Sequence, residues 1–466
     1  MSSEEIMEIS LLEQTLQILS DCSDLTNQHF PLHQVDLVYF NYLVRSESLR
    51  NDILNLLNQP EVTMVAILSK SSFKQKLQAN EIVHDILNGS IAIFYNHKAY
   101  LYEAYAPESR SIESSETESV ISGPMDSFTE SLSTNLSLIR RRIKDPSLKV
   151  LSFTIGSKTG TSLNLLYLEG VADSSHVQQL SEMIKKLDIP VINETNILVQ
   201  YLSPSKYSVA PQILTSVRPD LIINKLASGK IVGLLDGSQA AFSTPTSFVE
   251  FFMSPDDYYQ PWAVASAVRI LRLIALFITL SFTAFYVSLV TYHYEMIPPS
   301  LLLNLMESRS RVPFSPLIEA IFMEMTIELL REAGARLPTK IGTTIGTVGG
   351  IVIGQAAVQA GVTSNILIIS VAISAIASFA IPSYIMSASI RLMRFGIILL
   401  AGLFGNFGLA FGLGWLVVQL SSLHMFGLSY MAPFAPSQPS RWLDLVIRAP
   451  IHLVAKLKKP SHHPDK

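Results

Sequence analysis

The chain has 466 residues, 34 of them Lys or Arg and 38 Asp or Glu, for a formal net charge of -4. That balance offers no global field for nucleic acid or another polyanion, and the single cysteine, Cys22, excludes an intrachain disulfide and a multi-cysteine metal centre. Residues 1–260 mix charges like a soluble chain, whereas nearly all long apolar runs follow Trp262, so the mean hydropathy of +0.34 sums two unlike halves.

The first ten residues, MSSEEIMEIS, have neither a basic nor an apolar stretch of the secretory kind, and the expectation is a head that stays cytoplasmic. Residues 1–107 read as an α/β subdomain. Its expected elements are mostly helix from Glu4 to Leu57, a short buried strand from Glu61 to Ser69, a helix from Ser72 to Asn88, and a hairpin from Ile91 to Ala104 about Asn96-His97. Residues 108–124 are rich in Ser and Glu and poor in large apolar side chains, the composition of a linker. Residues 125–260 read as a second α/β subdomain. It has a helix from Met125 to Lys144, strands at Val150 to Ile155 and Ser162 to Glu169, a helix from Ser174 to Leu187 and another after Arg218-Pro219. A hairpin from Lys230 to Pro245 then turns on the two residues Asp236-Gly237.

Residues 261–430 read as an α-helical multi-pass membrane domain, and 431–466 as a basic polar tail. Leu273 to Tyr292 is an uncharged first span behind Arg269 and Arg272, which predicts a cytoplasmic start. Phe314 to Leu330 is apolar but carries Glu319, Glu324 and Glu328; hydropathy leaves open whether it spans, lies in the interface or dips in and returns. From Ile341 to Ile390 no Asp, Glu, Lys or Arg occurs, and Ile341 to Ala360 and Asn365 to Ile381 read as an antiparallel pair of spans. Arg391 and Arg394 then predict a cytoplasmic loop, and Phe395 to Leu423 a last span. Four to five spans result; with five, the tail bearing Arg441, Arg448, Lys456, Lys458 and Lys459 falls outside, against the positive-inside rule.

Three groups of residues stand out. Gly342, Gly346, Gly350 and Gly354 recur every fourth position, so they line one helix stripe that admits another backbone closely, either within the chain or in a second subunit. Val348 and Val352, with Ile341 and Ile345, form the apolar stripe opposite, suited to lipid or to a dewetting gate. Glu324, Glu328 and Glu332 share one helix face, with Arg331 in reach of Glu328; they are ion-pathway carboxylates if the segment spans, or the wet face of a helix lying flat. Arg140, Arg141, Arg142 and Lys144 form a basic patch near a helix C-terminus, ordinarily a solvated face and otherwise a contact for anionic headgroups. Asp256, Asp257, Tyr258 and Tyr259 precede the first span like an interfacial collar. No P-loop, dinucleotide fingerprint, HExxH or GxSxG occurs, which argues against an enzyme, and no cofactor or metal is expected.

Six segments in order carry a family likeness: LIRRRIKDPSLK (Leu138 to Lys149), SPDDYY (Ser254 to Tyr259), ELLREAGARLP (Glu328 to Pro338), VGGIVIGQAAVQAG (Val348 to Gly361), ASFAIPSY (Ala377 to Tyr384) and IRLMRF (Ile390 to Phe395). In these the chain resembles the A subunit of GerA-type spore germination receptors from about Asp21 to about Pro436. The resemblance implies a multi-pass protein of the inner membrane of the spore, triggered by nutrients, with a permease-like B subunit and a lipoprotein C subunit as partners. It further implies a homo-oligomer whose membrane part conducts ions, and a nutrient site on the B subunit. A secondary transporter and a non-conducting membrane scaffold are the rival readings; the first is disfavoured because no inverted repeat is visible.

Overall fold

The computed structural model describes residues 10–57, 64–106, 118, 122–337, 349–350, 352–437 and 447–450. It forms two compact units, Met1–Lys206 with Ile213–Pro245, and Tyr207–Gln212 with Thr246–Lys466.

In the first unit, helix α1 (Leu11–Ile18) starts at a capping box between Ser10 and Glu13. Strands β1 (Leu25–Phe30) and β2 (Val35–Phe40) follow, where mostly helix was expected; VDLVYF is the β-branched and aromatic run of a strand buried on both faces, and Gln34 turns the chain at φ 51°. Helix α2 (Met64–Leu68) replaces the expected strand at Glu61 to Ser69, since a short apolar run looks alike in either form. The expected helix from Ser72 divides into β3 (Phe73–Lys76) and α3 (Ala79–Leu87). The hairpin of β4 (Ser90–Tyr95) and β5 (Lys98–Glu103) turns at Asn96-His97 as expected, both at positive φ. These strands make an antiparallel sheet in the order β1-β2-β4-β5-β3.

The next stretch holds α4 (Leu132–Arg140), β6 (Leu148–Ile155), β7 (Thr161–Leu168), α5 (Ser174–Lys185), α6 (Thr195–Leu202), β8 (Leu214–Ser216), α7 (Pro219–Ala227), β9 (Ile231–Leu235) and β10 (Ala241–Thr244). Helix α4 is shorter than its expected range. The β9–β10 turn covers 236–240 rather than two residues, with Gly237 at φ 80°. The second sheet has the order β6-β7-β9-β10-β8, the same path as the first, and all its pairings are antiparallel. Local sequence follows this duplication: Ile82, Ile86, Gly89 and Ile91 lie at the same spacing as Ile222, Leu226, Gly229 and Ile231, and both glycines take positive φ between helix and strand. One buried cluster runs through both modules, from Val38, Phe40 and Ala92 to Val150, Leu166 and Val232. The other face of the first sheet, with Leu37, Tyr39, Ile91 and Ile93, packs on Leu49, Ile53, Met64 and Ile67. Strand β4 is therefore apolar on both faces.

The second unit contains α8 (Trp262–Tyr292), α9 (Pro299–Arg309), α10 (Pro316–Arg336), a helical stretch over 352–359, α11 (Asn365–Ser378) and α12 (Tyr384–Ser422). Among the described residues, α8 and α12 are long and apolar enough to cross a membrane. Helix α12 is not one rod. Gly405 sits at φ 62°, ψ -144°, and beyond it the chain doubles back. A Cβ on Gly408 would lie 2.0 Å from Leu400 O, and one on Gly412 only 3.8 Å from Ile397 Cα, separations impossible along a straight helix rising about 1.5 Å per residue. The arms 384–404 and 406–422 are about 31 Å and about 25 Å long, near the roughly 30 Å of a bilayer core.

This reversal corrects the expected single span from Phe395 to Leu423. It also corrects the cytoplasmic loop at Arg391 and Arg394, which lie inside the first arm. After the second arm the chain returns to the N-terminal end of α8. Phe248 N–H donates to Tyr430 O at 2.7 Å, Tyr430 Oη to Pro211 O at 2.5 Å, Arg448 Nη1 to Gln260 O at 2.8 Å and Ser266 Oγ to Arg448 O at 3.1 Å.

Replacing Gly408 with Val puts methyl groups into the Leu400 carbonyl, and a loss of at least about 1–3 kcal/mol is expected. Gly414→Ala, where a Cβ meets nothing within 4 Å, is expected to be neutral. Thermal unfolding of the detergent-purified variants, followed by size exclusion, measures both.

Candidate functional site

The sequence patch Arg140, Arg141, Arg142, Lys144 divides by environment. Arg140 ends α4 fully buried, a correction to the solvated face expected for it. Its Nε and Nη2 each donate to Asp24 at 3.1 Å, its guanidinium lies 4.7 Å over the Phe40 ring, and Tyr42 Oη also donates to Asp24. A buried cation needs such a fork of acceptors to offset lost hydration. Burial pushes the Tyr42 hydroxyl well above its ordinary value, with the Asp24 charge adding to it. Lys149, from the same LIRRRIKDPSLK segment, is buried too; its Nζ donates to Ile18 O at 3.2 Å and Ser20 O at 2.7 Å. Residues 21–23 pair with the edge of β6, so two buried cations of the second module clasp the chain between α1 and β1. Arg142 pairs with Asp126 at 2.6 Å and Lys144 with Asn88 at 2.8 Å, while Arg141 is half-buried.

The second group lies within the helical unit. Helix α10 packs among α8, α11 and α12, and it brings Glu324 and Glu328 to one face because they are one turn apart. Arg391 and Arg394 occupy successive turns of the first arm of α12 and meet that face. Arg394 Nη2 is 2.6 Å from Glu324 and 3.2 Å from Glu328; Arg391 Nε is 3.1 Å from Glu328, and its Nη1 donates to Ser387 Oγ at 2.8 Å. Thr283 Oγ1 of α8 donates to Glu324 at 2.9 Å and meets Ser374 Oγ of α11 at 3.0 Å. Arg331 does not pair with Glu328 as expected: it donates to Ser378 Oγ at 3.0 Å and stacks 4.3 Å over Phe379. Glu324 and Arg394 are fully buried, and two carboxylates against three guanidiniums leave one net positive charge. Glu332 stands apart, exposed and paired with Arg336 at 2.6 Å. One level nearer the start of α10, Glu319 pairs with Arg309 at 3.1 Å and accepts the Ser364 N–H at 3.2 Å.

Arg391 and Arg394 were missed as site residues. The signal was present, since IRLMRF spaces the two cations at i and i+3 with no proline between Tyr384 and Gly405. The SPDDYY segment also differs from an exposed collar. Asp256 and Asp257 are buried, and Asp257 receives Arg269 at 3.0 Å and Arg272 at 2.8 Å, so these arginines neutralise an acid of their own chain.

Of the glycine series, Gly342 and Gly346, with Val348, lie outside the described residues. At Gly350 and Gly354 an added Cβ meets nothing within 4 Å, and Val352 is 55% exposed. The contact of this stretch with α10 uses Gly349 instead, 3.3 Å from Leu330 Cδ2.

The profile of a family described as Bacillus/Clostridium GerA spore germination protein matches residues 13–461. Spore germination protein GerQA of Bacillus cereus is 38% identical over 95% of this chain and 91% of its own length. The Bacillus subtilis (strain 168) protein named "Uncharacterized membrane protein YfkQ" is 33% identical over 94% of this chain and 88% of its own. Among solved structures, the N-terminal domain of the A subunit of the Bacillus megaterium spore germinant receptor GerK3 aligns over 51% of this chain and 94% of its own at 20% identity, with a TM-score of 0.38.

Removing one member of the interhelical network strands its partners. Arg394→Leu is expected to cost roughly 3–5 kcal/mol, and adding Glu324→Leu to recover part of that; a double-mutant cycle on melting temperatures in nanodiscs measures the coupling. Cys22 is 7% exposed, and burial raises its thiol above the ordinary range. Its alkylation at pH 8 is expected to be slow in the native protein and rapid after denaturation, as a mass-spectrometric time course reads directly.

Proposed function

The chain belongs to the GerA spore germination proteins, and on that premise we propose that it is the membrane subunit of a nutrient germinant receptor, assembled as a homo-oligomer whose helical part passes ions on activation. The residue-level support for assembly is the outward face of Gly350 and Gly354. Gly402, Gly408 and Gly412 are filled by side chains or backbone of the same chain. Among the described residues, nothing of this chain lies within 4 Å of a Cβ added at Gly350 or Gly354, an open seat that suits a second copy. A permease-like B subunit and a lipoprotein C subunit are the remaining partners in this reading.

The protein sits in the inner membrane of the spore with its head and tail on the cytoplasmic side. In this reading the chain passes six times, through α8, α10, the apolar runs Ile341 to Ala360 and Asn365 to Ile381, and the two arms of α12. An even number leaves the tail on the side of Arg269 and Arg272, in keeping with the positive-inside rule. Glu324 and Glu328 then hold helices together rather than facing a pore, and the glycine-rich run, whose sequence spacing sets Val348 and Val352 opposite the glycines, is the better candidate for the pore wall. A non-conducting scaffold is the second reading, favoured by that same internal neutralisation of the carboxylates.

Two experiments decide between these readings. Gly350→Leu and Gly354→Leu are expected to abolish the oligomer and germination at normal protein level, whereas Gly414→Leu, open but outside the series, retains both. Wild-type assembly in both glycine variants overturns the interface. Cation efflux from liposomes carrying the complete receptor is expected on nutrient addition; a tight, nutrient-bound assembly without efflux leaves the scaffold.

A further inference from the structure

Helix α9 is too short to cross a bilayer, at eleven residues and about 16 Å. It begins seven positions after Tyr292, where α8 ends, and its side chains sort into three arcs. Leu302, Leu305 and Arg309 recur at three- and four-residue spacing and turn inward; Leu305 is buried and Arg309 pairs with Glu319. On the two flanks of that seam, Leu301, Leu303 and Met306 are exposed, Leu303 at 69% and Met306 at 61%. Ser300, Asn304 and Glu307 form the remaining, polar arc.

A helix held to a bundle along one seam, with apolar flanks beside the seam and a polar crest opposite, fits the boundary between headgroups and acyl chains. A wholly aqueous setting leaves the leucine and methionine flanks wet, and a wholly apolar one strands Asn304 and Glu307. Tyr294 and Met296, exposed in the turn before the helix, extend the apolar border towards the end of α8. We propose that α9 lies in the membrane interface on the side where α8 ends, its Leu301, Leu303 and Met306 flanks seated in lipid. The proposal rests on the membrane reading above and adds a lipid-contact surface to it.

The test uses the full-length chain in nanodiscs of phosphatidylethanolamine and phosphatidylglycerol, with single-cysteine probes at Leu303→Cys, Met306→Cys, Asn304→Cys and, within the apolar crossing, Phe277→Cys. Buried Cys22 is left in place and the unsubstituted protein serves as the blank. Fluorophores at Leu303 and Met306 are expected to be quenched by a nitroxide placed high on the acyl chain at least about threefold more strongly than by aqueous iodide, with the opposite ratio at Asn304, given an apolar face seated only about 5–10 Å deep. Iodide quenching at Leu303 equal to that at Asn304 overturns the proposal. So does a Leu303 probe reached by neither quencher, which means a protein partner covers the helix. Loss of all lipid quenching at Phe277 brings down the membrane reading together with the proposal, whereas strong lipid quenching at Phe277 without it at Leu303 removes the interfacial helix alone.

Discussion

A guanidinium enters a helix bundle only where acceptors already wait for it. Arg394 is fully enclosed, and its pairing with Glu324 and Glu328 ties α10 to the first arm of α12, while Thr283 joins α8 to Glu324 and Ser374 joins α11 to Thr283. Apolar side chains alone hold helices poorly in lipid, because lipid is as good a solvent for leucine as another leucine is. A fixed polar contact specifies which helices are neighbours and at what level. The direction of α10 follows, since Glu319 meets the start of α11 and Arg331 its end.

The head applies the same device in water. Arg140 and Lys149 extend from the second module to a carboxylate and two helix-end carbonyls of the first. In both places the ion pair is a weak source of net stability but a strong source of register, because any displaced arrangement leaves a charge without a partner. In the head this matters because two modules of the same strand order present similar apolar faces, and apolar contact alone does not choose one alignment between them.

Elements whose ends carry local chemistry were legible in the sequence. The β4–β5 hairpin is announced by Asn96-His97, α5 by the Asp173 cap and α7 by Arg218-Pro219. What sequence reasoning lost was set by tertiary context. Strand β2, expected as helix, is apolar at consecutive positions because one face meets the second module and helices cover the other. Arg391 and Arg394 signalled a loop by charge, and only their partners on α10 show that charge neutralised inside a helix. The reversal at Gly405 was hidden because both arms are apolar and hydropathy adds them. A glycine in a long apolar run is ordinary, and the distinguishing mark is its conjunction with Gly408 and Gly412, which let the two arms touch.

These glycines also separate two uses of the same residue. Gly408 and Gly412 are consumed by the hairpin, and Gly402 by Leu317 of α10. Gly350 and Gly354 belong to a helix whose neighbour within the chain is reached through Gly349, one position round the helix from Gly350 and so on a different face. If the open face only met lipid, larger apolar side chains would bury more surface and hold the helix conformation better than glycine, which costs about 1 kcal/mol per residue against alanine. Glycine repeated at such a cost is favoured by close approach of another backbone, and among the described residues no atom of this chain lies within 4 Å of a Cβ added at Gly350 or Gly354.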